Sequence, residues 1–401
     1  MHIEFTEEER EFRDEVRSFL ETELTEDIKR ATRLSTGVFV DKPPARPWHE
    51  KLYKKGWISY AWPEVDGGCG WTPTQRYIFE LECAKAGAPK VAPLGLSLVG
   101  PVICGFGTDK QKNYYLPRIR SGEDYWCQGF SEPGAGSDLA SLKTRAERDG
   151  DHYVVNGEKL WTTHAHFANM IFALVRTSKE EKRQDGISFL LIDMSTPGLS
   201  VRPIITLAGD HEVNQVTFED VRVPVENRVG EEGRGWEYAK YLLEFERGGG
   251  APSVFTRIAF ERLKNILKSE SDGFGGWLAD DAGIRVELGA IEADVKALEV
   301  MDMRNVASRK SGERPGPISS VIKTMGSELL QNIRKLSVHA LGYNALPDIT
   351  FESPDFQTPN DVPLPEHAWA LTGQHLNGLA STIFGGASEI QREIISKGLL
   401  S

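Results

Sequence analysis

The sequence predicts a mostly α protein with a central β domain, an α+β architecture, and three observations carry that prediction. The first 120 or so residues hold apolar side chains at helical intervals, the next 110 turn to strand-type runs bounded by turn residues, and helical spacing returns from Trp236. At 401 residues the chain exceeds what one hydrophobic core serves, so we divide it into 1–120, 121–230 and 231–401.

Each element has a local reason. Thr6 and Glu9 have the spacing of a capping box, and Phe5, Phe12, Val16, Phe19 and Leu20 then recur at helical intervals, giving a helix over 6–24. Further helices are expected over 45–56, 73–87 and 109–120, separated by turn-rich segments such as 62-WPEVDGGCGW-71. In the middle region Tyr153, Val154 and Val155 lead into Asn156-Gly157, which predicts a hairpin turn. The runs 187-ISFLLIDM-194 and 216-VTFEDVRVPV-225 predict strands. Helical patterns over 236–268, 283–311, 314–342 and 370–398 predict an antiparallel bundle. Between them, 345–369 carries Pro347, Pro354, Pro359, Pro363 and Pro365 and reads as a long loop.

Composition narrows the function. A net charge of −12 excludes a broad electrostatic match to nucleic acid or to an anionic membrane. Cys69, Cys83, Cys104 and Cys127 form no C-x-x-C pair, which fits neither a disulfide framework nor a zinc site and points to a reducing cytosol. No run of 18 apolar residues occurs, and the acidic start lacks the features of a signal peptide, so a cytoplasmic protein without membrane insertion is expected.

Four stretches could carry chemistry. The segment 131-SEPGAGSD-138 leaves backbone N–H groups accessible to a phosphate or a flat ring at Gly134 and Gly136, although composition alone favours a surface turn in which Ser137 or Asp138 caps a neighbour. The segment 156-NGEKLWTT-163 places Trp161, Thr162 and Thr163 on a strand, where an indole and a hydroxyl could meet a planar heterocycle or simply fill a core. His164 and His166 would share a strand face, but a third ligand is missing and metal chemistry is discounted. In 236-WEYAKYLLEFER-247, Glu246 falls between Ala239 and Leu242 inside an apolar helical arc, while Lys240, Glu237, Glu244 and Arg247 share the other face. A carboxylate on that arc is desolvated, which raises its pKa toward general-base duty, or it is neutralised in a buried ion pair. Gly248, Gly249 and Gly250 follow, either ending the helix or making room for a substrate.

Together the segments 62-WPEVDGG-68, 128-QGFSEPGAGSD-138, 153-YVVNGEKLWTT-163, 218-FEDVRVPVENRVG-230 and 388-SEIQR-392 resemble the acyl-CoA dehydrogenase family over nearly the whole chain. The resemblance implies a helical N-terminal domain, a β-barrel-like middle domain and a C-terminal four-helix bundle with FAD between the last two. It implies that a carboxylate removes the α proton of an acyl-CoA thioester while hydride leaves the β carbon for flavin N5, and that an electron-transfer flavoprotein accepts the electrons. By the same resemblance Phe130, Ser131 and Ser137 line flavin and acyl-CoA contacts, Trp161 covers the flavin edge, Thr162 and Thr163 face the isoalloxazine, and Ser137 and Arg247 contact substrate.

The resemblance also marks departures. Many relatives carry the catalytic glutamate where this chain has Gly385. A minority, acting on branched acyl groups, carry it on the helix opening the bundle, which here is Glu246. The backbone N–H of Gly385 is then left to polarise the thioester carbonyl. Homotetrameric relatives grip the FAD diphosphate across a subunit interface with an arginine and a Gln-x-x-Gly-Gly stretch, where this chain has Ser271 and 339-HALGY-343; Ala387 and Glu389 replace a Thr and a Gln. This implies a catalytic subunit of an α2β2 heterotetramer of the type that degrades sterol side chains, otherwise a homo-oligomer, with a bulky or branched acyl-CoA as substrate in β-oxidation. The rival readings are a non-catalytic scaffold subunit and an oxygen-reactive oxidase relative.

Overall fold

The structure is a computed structural model that describes residues 5–248, 252–310, 317–347 and 364–400. Side chains of 244–248, 309 and 310 lie outside the description, as does most of the proline-rich stretch.

The N-terminal region is built from α1 (Glu7–Glu23), α2 (Glu26–Leu34), α3 (Lys42–Lys55), α4 (Pro73–Ala86), α5 (Gly100–Phe106) and α6 (Asp109–Ser121). Thr6, Thr72 and Thr108 each close a capping box, with Glu9, Gln75 and Gln111 returning the bond. Two segments escape the sequence reading. Helix α2, nine residues long, offers only Ile28, Ala31 and Leu34 as a buried stripe, too few to stand out in the sequence. The π-helical turn Leu94–Val99, which feeds α5, contains residues hostile to helices, Gly95 and then Gly100-Pro101. Burial overrides propensity here: a Cβ at Gly100 would lie 2.3 Å from the Trp62 ring, and the Trp62 indole N–H donates to the Leu96 carbonyl.

The middle region is a seven-stranded sheet: β1 (Trp126–Gly129), β2 (Arg145–Asp149), β3 (His152–Thr163), β4 (Met170–Arg176), β5 (Ile187–Asp193), β6 (Leu199–Ile204) and β7 (Val213–Pro224). The order is β1-β4-β2-β3-β7-β6 with β5 on β4, and β4 pairs in parallel with β1 and β2. One expectation is corrected. Asn156-Gly157 is no hairpin turn; it sits within β3, where the register against β7 slips between Val155 and Gly157. The turn is Gly150-Asp151, two residues between Asp149 and His152. Asn156 instead exchanges side-chain bonds with β7, donating to Asp220 Oδ1 at 2.9 Å and accepting the Asp220 N–H at 3.0 Å. Gly157 has φ 144° and packs on Thr144, so both residues serve a β-bulge.

The C-terminal region holds α7 (Gly235–Gly248), α8 (Pro252–Ser269), α9 (Ala282–Lys310), α10 (Ile318–Leu341), α11 (Leu371–Gly378) and α12 (Ser388–Leu400). The expected single helix over 370–398 is divided. A 3-10 turn (Leu379–Thr382) follows α11, and Gly385 and Gly386 adopt φ of 63° and 91°, conformations that end a right-handed helix and favour glycine. The N-terminal helices, the inner face of the sheet and α7 share one hydrophobic core, and α8, α9 and α10 with α11 form a second.

Candidate active site

The candidate residues fall on three pieces of backbone. The first is the loop after β1. Phe130 is buried edge-on against Phe172 and Phe189, with ring centroids at 5.7 and 6.2 Å. Its neighbour Ser131 is joined to β3 through its carbonyl, which accepts the Leu160 N–H at 2.9 Å. Glu132 and Ala135 then close a tight turn with two bonds of 3.0 Å, so Pro133, Gly134, Gly136 and Ser137 stand exposed at its crest. A Cβ on Gly134 or Gly136 would meet nothing within 4 Å, which leaves the crest open to an approaching ligand.

The second piece is the end of β3. A register irregularity between Lys159 and Thr162 throws Trp161 outward, with φ 59° and an indole 59% exposed. Thr162 turns inward and is fully buried, its carbonyl accepting from Asn214 Nδ2 at 3.0 Å. Its Oγ1 is buried and has no hydrogen-bond partner among the described residues. Exposing a large indole is costly for a folded chain by itself, and it suits a surface that takes a planar cofactor. Thr163 ends the strand, half-buried.

One expectation about this piece changes. His164 lies beyond β3 with φ 56°, so it and His166 share no strand face. His164 Nδ1 is engaged by the Tyr125 hydroxyl at 2.7 Å, and its Nε2 lies 3.4 Å from Asp41 Oδ1. His166 stacks on His211 at 3.9 Å and shares Asn214 with it. Burial pushes the His166 imidazole down to about 4, helped by the charges of His211 and His164.

The third piece combines α7 with the turn before α12. Ala239 and Leu242 on α7 are buried at 1% and 0% exposure, Tyr238 joins them, and Glu237 and Lys240 are exposed. Position 246 is seven residues after Ala239 and four after Leu242, the spacing on which the sequence expectation for Glu246 rests. The Glu246 and Arg247 side chains lie outside the described residues. At the other side, the Gly386 carbonyl accepts from Lys323 Nζ at 2.8 Å and from Gln391 Nε2 at 3.3 Å, which fixes the turn that carries Gly385.

Residues that sequence reasoning passed over bind these pieces together. Lys159, fully buried, donates to Glu132 Oε1 at 2.8 Å and to the Phe130 carbonyl at 3.2 Å. A lysine on a core-facing position of a strand is the signal that would have found it. Glu132 was in view, within a motif read for its glycines.

Family models for the acyl-CoA dehydrogenase N-terminal, middle and C-terminal domains match residues 6–123, 127–221 and 233–400 in turn. The chain belongs to the acyl-CoA dehydrogenase family. Acyl-CoA dehydrogenases are FAD-dependent oxidoreductases, and the exposed Trp161 indole beside the open crest of the 131–138 loop fits that cofactor. Among curated relatives, acyl-CoA dehydrogenase IpdE1 of Mycobacterium tuberculosis is 36% identical over 357 residues, 88% of this chain and 87% of the relative. Acyl-CoA dehydrogenase FadE26 of the same organism is 33% identical over 401 residues, 98% of this chain and 97% of its own. Among solved structures, the ChsE4-ChsE5 complex of M. tuberculosis superposes with a TM-score of 0.83 at 33% identity, covering 100% of this chain and 99% of that one. The Tcur3481-Tcur3483 steroid acyl-CoA dehydrogenase gives 0.83 at 28%, with the same coverage. No described helix is long and apolar enough to cross a membrane, and no group of three or more described His, Cys, Asp or Glu residues could hold a metal ion.

Proposed function

We propose that this acyl-CoA dehydrogenase oxidises a bulky or branched acyl-CoA to its trans-2-enoyl-CoA, with Glu246 as the base that removes the α proton. When bound, FAD supplies the acceptor for the hydride that leaves the β carbon. The crest of the 131–138 loop and the Trp161–Thr163 strand end would hold the isoalloxazine, and Ser137 and Arg247 would contact the acyl-CoA. The observation that carries the reading is that α7 buries Ala239 and Leu242, the residues seven and four positions before Glu246 that share its face by helical spacing. A carboxylate on such a face is poorly solvated, which disfavours its charged form and raises its affinity for the α proton. Gly385, without a side chain, leaves this role to Glu246, and its left-handed backbone suits a main-chain N–H aimed at the thioester oxygen. Glu246→Gln preserves shape and removes the base. Turnover should fall by at least about a thousandfold while the flavin absorbance stays, a loss of ~4 kcal/mol of transition-state stabilisation; full activity in this variant would sink the assignment.

The same reading extends to assembly: the chain works beside a homologous second subunit that completes the FAD site, and passes electrons to an electron-transfer flavoprotein. Its support lies in the loop after α8. Ser271 stands where an arginine would grip a diphosphate, and its hydroxyl is occupied in accepting the Gly273 N–H at 3.1 Å. Next to it stands Asp272, whose carboxylate accepts N–H groups from Phe274 and Gly276 and would repel a phosphate. The similar ChsE4-ChsE5 and Tcur3481-Tcur3483 structures are both complexes of two chains, the second of them a steroid enzyme, which favours a heteromer and a sterol-derived acyl group. Flavin content of the chain purified alone and with a coexpressed homologue tests this. Full flavin occupancy in the solitary chain would count against it.

A further inference from the structure

Each half of the candidate flavin surface is one or two residues from a buried charge, and the two charges belong to each other. Glu132 follows Phe130 and Ser131 in the loop; Lys159 precedes Trp161 and Thr162 on β3. Lys159 is 0% exposed, and its Nζ contacts Glu132 Oε1 at 2.8 Å and the Phe130 carbonyl at 3.2 Å. The carboxylate is saturated by backbone, Oε1 accepting the Thr144 N–H at 3.0 Å and Oε2 the Lys143 N–H at 2.6 Å. Glu132 also closes the turn at whose crest Gly134 lies. The far end of the loop is held from β4, where Arg176 Nη2 donates to the Ala140 carbonyl at 2.8 Å.

A buried ion pair is a poor stability device, because the cost of stripping water from both ions cancels most of the attraction, and apolar residues of similar volume serve as well or better. What such a pair provides is a fixed geometry between the segments it joins. We propose that Glu132 and Lys159 are positioning residues for the flavin: the pair locks the Phe130–Ser137 loop to β3 so that loop crest and Trp161 strand end form one preformed surface for the isoalloxazine. This rests on the reading of that surface as the flavin site. Neither residue touches the cofactor face itself. Burial pulls the Lys159 ammonium down to about 8, while Glu132, paired with it, is held below the usual carboxylate range despite its own burial. Preorganisation of this kind appears in affinity, since a loop that must be ordered at binding subtracts its ordering cost.

The test compares the wild-type protein, in the assembly in which it purifies, with Lys159→Met, Glu132→Gln, the double variant Glu132→Met/Lys159→Met, and Trp161→Ala. FAD affinity is measured on deflavinated protein, visible circular dichroism on the flavin-loaded form, and thermal unfolding on the flavin-free form. The single variants strand a buried charge and are expected to lower the unfolding temperature. The double variant removes both charges but leaves the Lys143 and Thr144 N–H groups without their acceptor, so it should unfold below wild type while remaining folded, and bind FAD at least tenfold more weakly and with an altered visible dichroism, because the loop is no longer fixed. Wild-type affinity and dichroism in the double variant, with a tenfold loss in Trp161→Ala, would overturn the positioning role alone. Unchanged affinity in both overturns the flavin-site reading and the positioning role with it.

Discussion

Glu212 Oε2 accepts a hydrogen bond from Asn377 Nδ2 at 2.7 Å, a contact between the segment that leads into β7 and helix α11, 165 residues apart in sequence. Its other oxygen accepts the Val38 N–H, so one buried carboxylate joins the N-terminal, middle and C-terminal regions. Burial raises its pKa against the pull of those two donors. Glu212→Gln should therefore be costly although the shapes match, since the amide presents its own NH2 to one of the two donors. A loss of about 1–3 kcal/mol is expected, the penalty for leaving a buried donor unpaired. Chemical unfolding of both proteins measures it, and equal midpoints would remove Glu212 from this role.

The turn before α12 makes a sharper demand. Gly386 has φ 91°, and a Cβ there would lie 2.2 Å from Nε2 of Gln391, which is itself fully buried. Gly386→Ala should cost about 1–2 kcal/mol for the left-handed backbone, with more from the displaced amide. It should also lower kcat, because the adjacent Gly385 N–H would shift. Gly134→Ala is the control for stability, since its new methyl meets nothing within 4 Å. An unfolding temperature unaffected in Gly386→Ala would show that the turn can relax.

Acid stability should depend on His166. Its folded pKa of about 4 lies below the unfolded value of 6.5, because burial and the neighbouring His211 and His164 disfavour the imidazolium more than Asp41 and Asn214 favour it. The unfolded chain binds the extra proton first, so this contribution to stability is intact above pH 6.5 and is lost as pH falls toward 4. The slope approaches 1.4 kcal/mol per pH unit for one proton, so about that much should separate wild type from His166→Gln per unit within this window. Urea midpoints between pH 7 and 4.5 follow it; parallel curves for the two proteins would argue that another group titrates.

Much of the frame was legible because local rules and tertiary demands agree. The three capping boxes start their helices where Thr6, Thr72 and Thr108 stand, and α7 buries Tyr238, Ala239 and Leu242 of the arc its periodicity assigns. The misses come where tertiary packing overrides a local rule. Asn156-Gly157 has the composition of a turn, but a bulge also needs a residue tolerant of φ 144° and a short side chain able to bond across the ladder. The Pro101 helix forms because Trp62, α6 and α7 bury it. Lys159 went unread since a buried charge is intelligible only with its partner, 27 residues away in sequence. The bulge gives its own prediction: Gly157→Ala would place a methyl 2.7 Å from the Thr144 Cα, a backbone atom that cannot yield as a side chain does. A loss of about 2–4 kcal/mol is expected, larger than for Gly386→Ala, and a smaller one would mean that β2 moves freely against β3.

Thr162 separates folding from binding in a single substitution. Its Oγ1 is buried without a partner, while its methyl packs in a fully buried position. Valine keeps that shape and removes the unsatisfied oxygen, so Thr162→Val should stabilise the flavin-free protein by about 0.5–1.5 kcal/mol. A hydroxyl that contributes nothing to cofactor binding leaves FAD affinity unchanged in the variant. A hydroxyl held ready for the cofactor gives the opposite coupling: the variant gains stability empty and loses affinity loaded, by roughly two- to tenfold for one neutral hydrogen bond. Thermal unfolding of the flavin-free protein and FAD titration of the same preparation read the two effects separately. Opposed signs identify Thr162 as a cofactor residue, and stabilisation with unaltered affinity assigns it to the core.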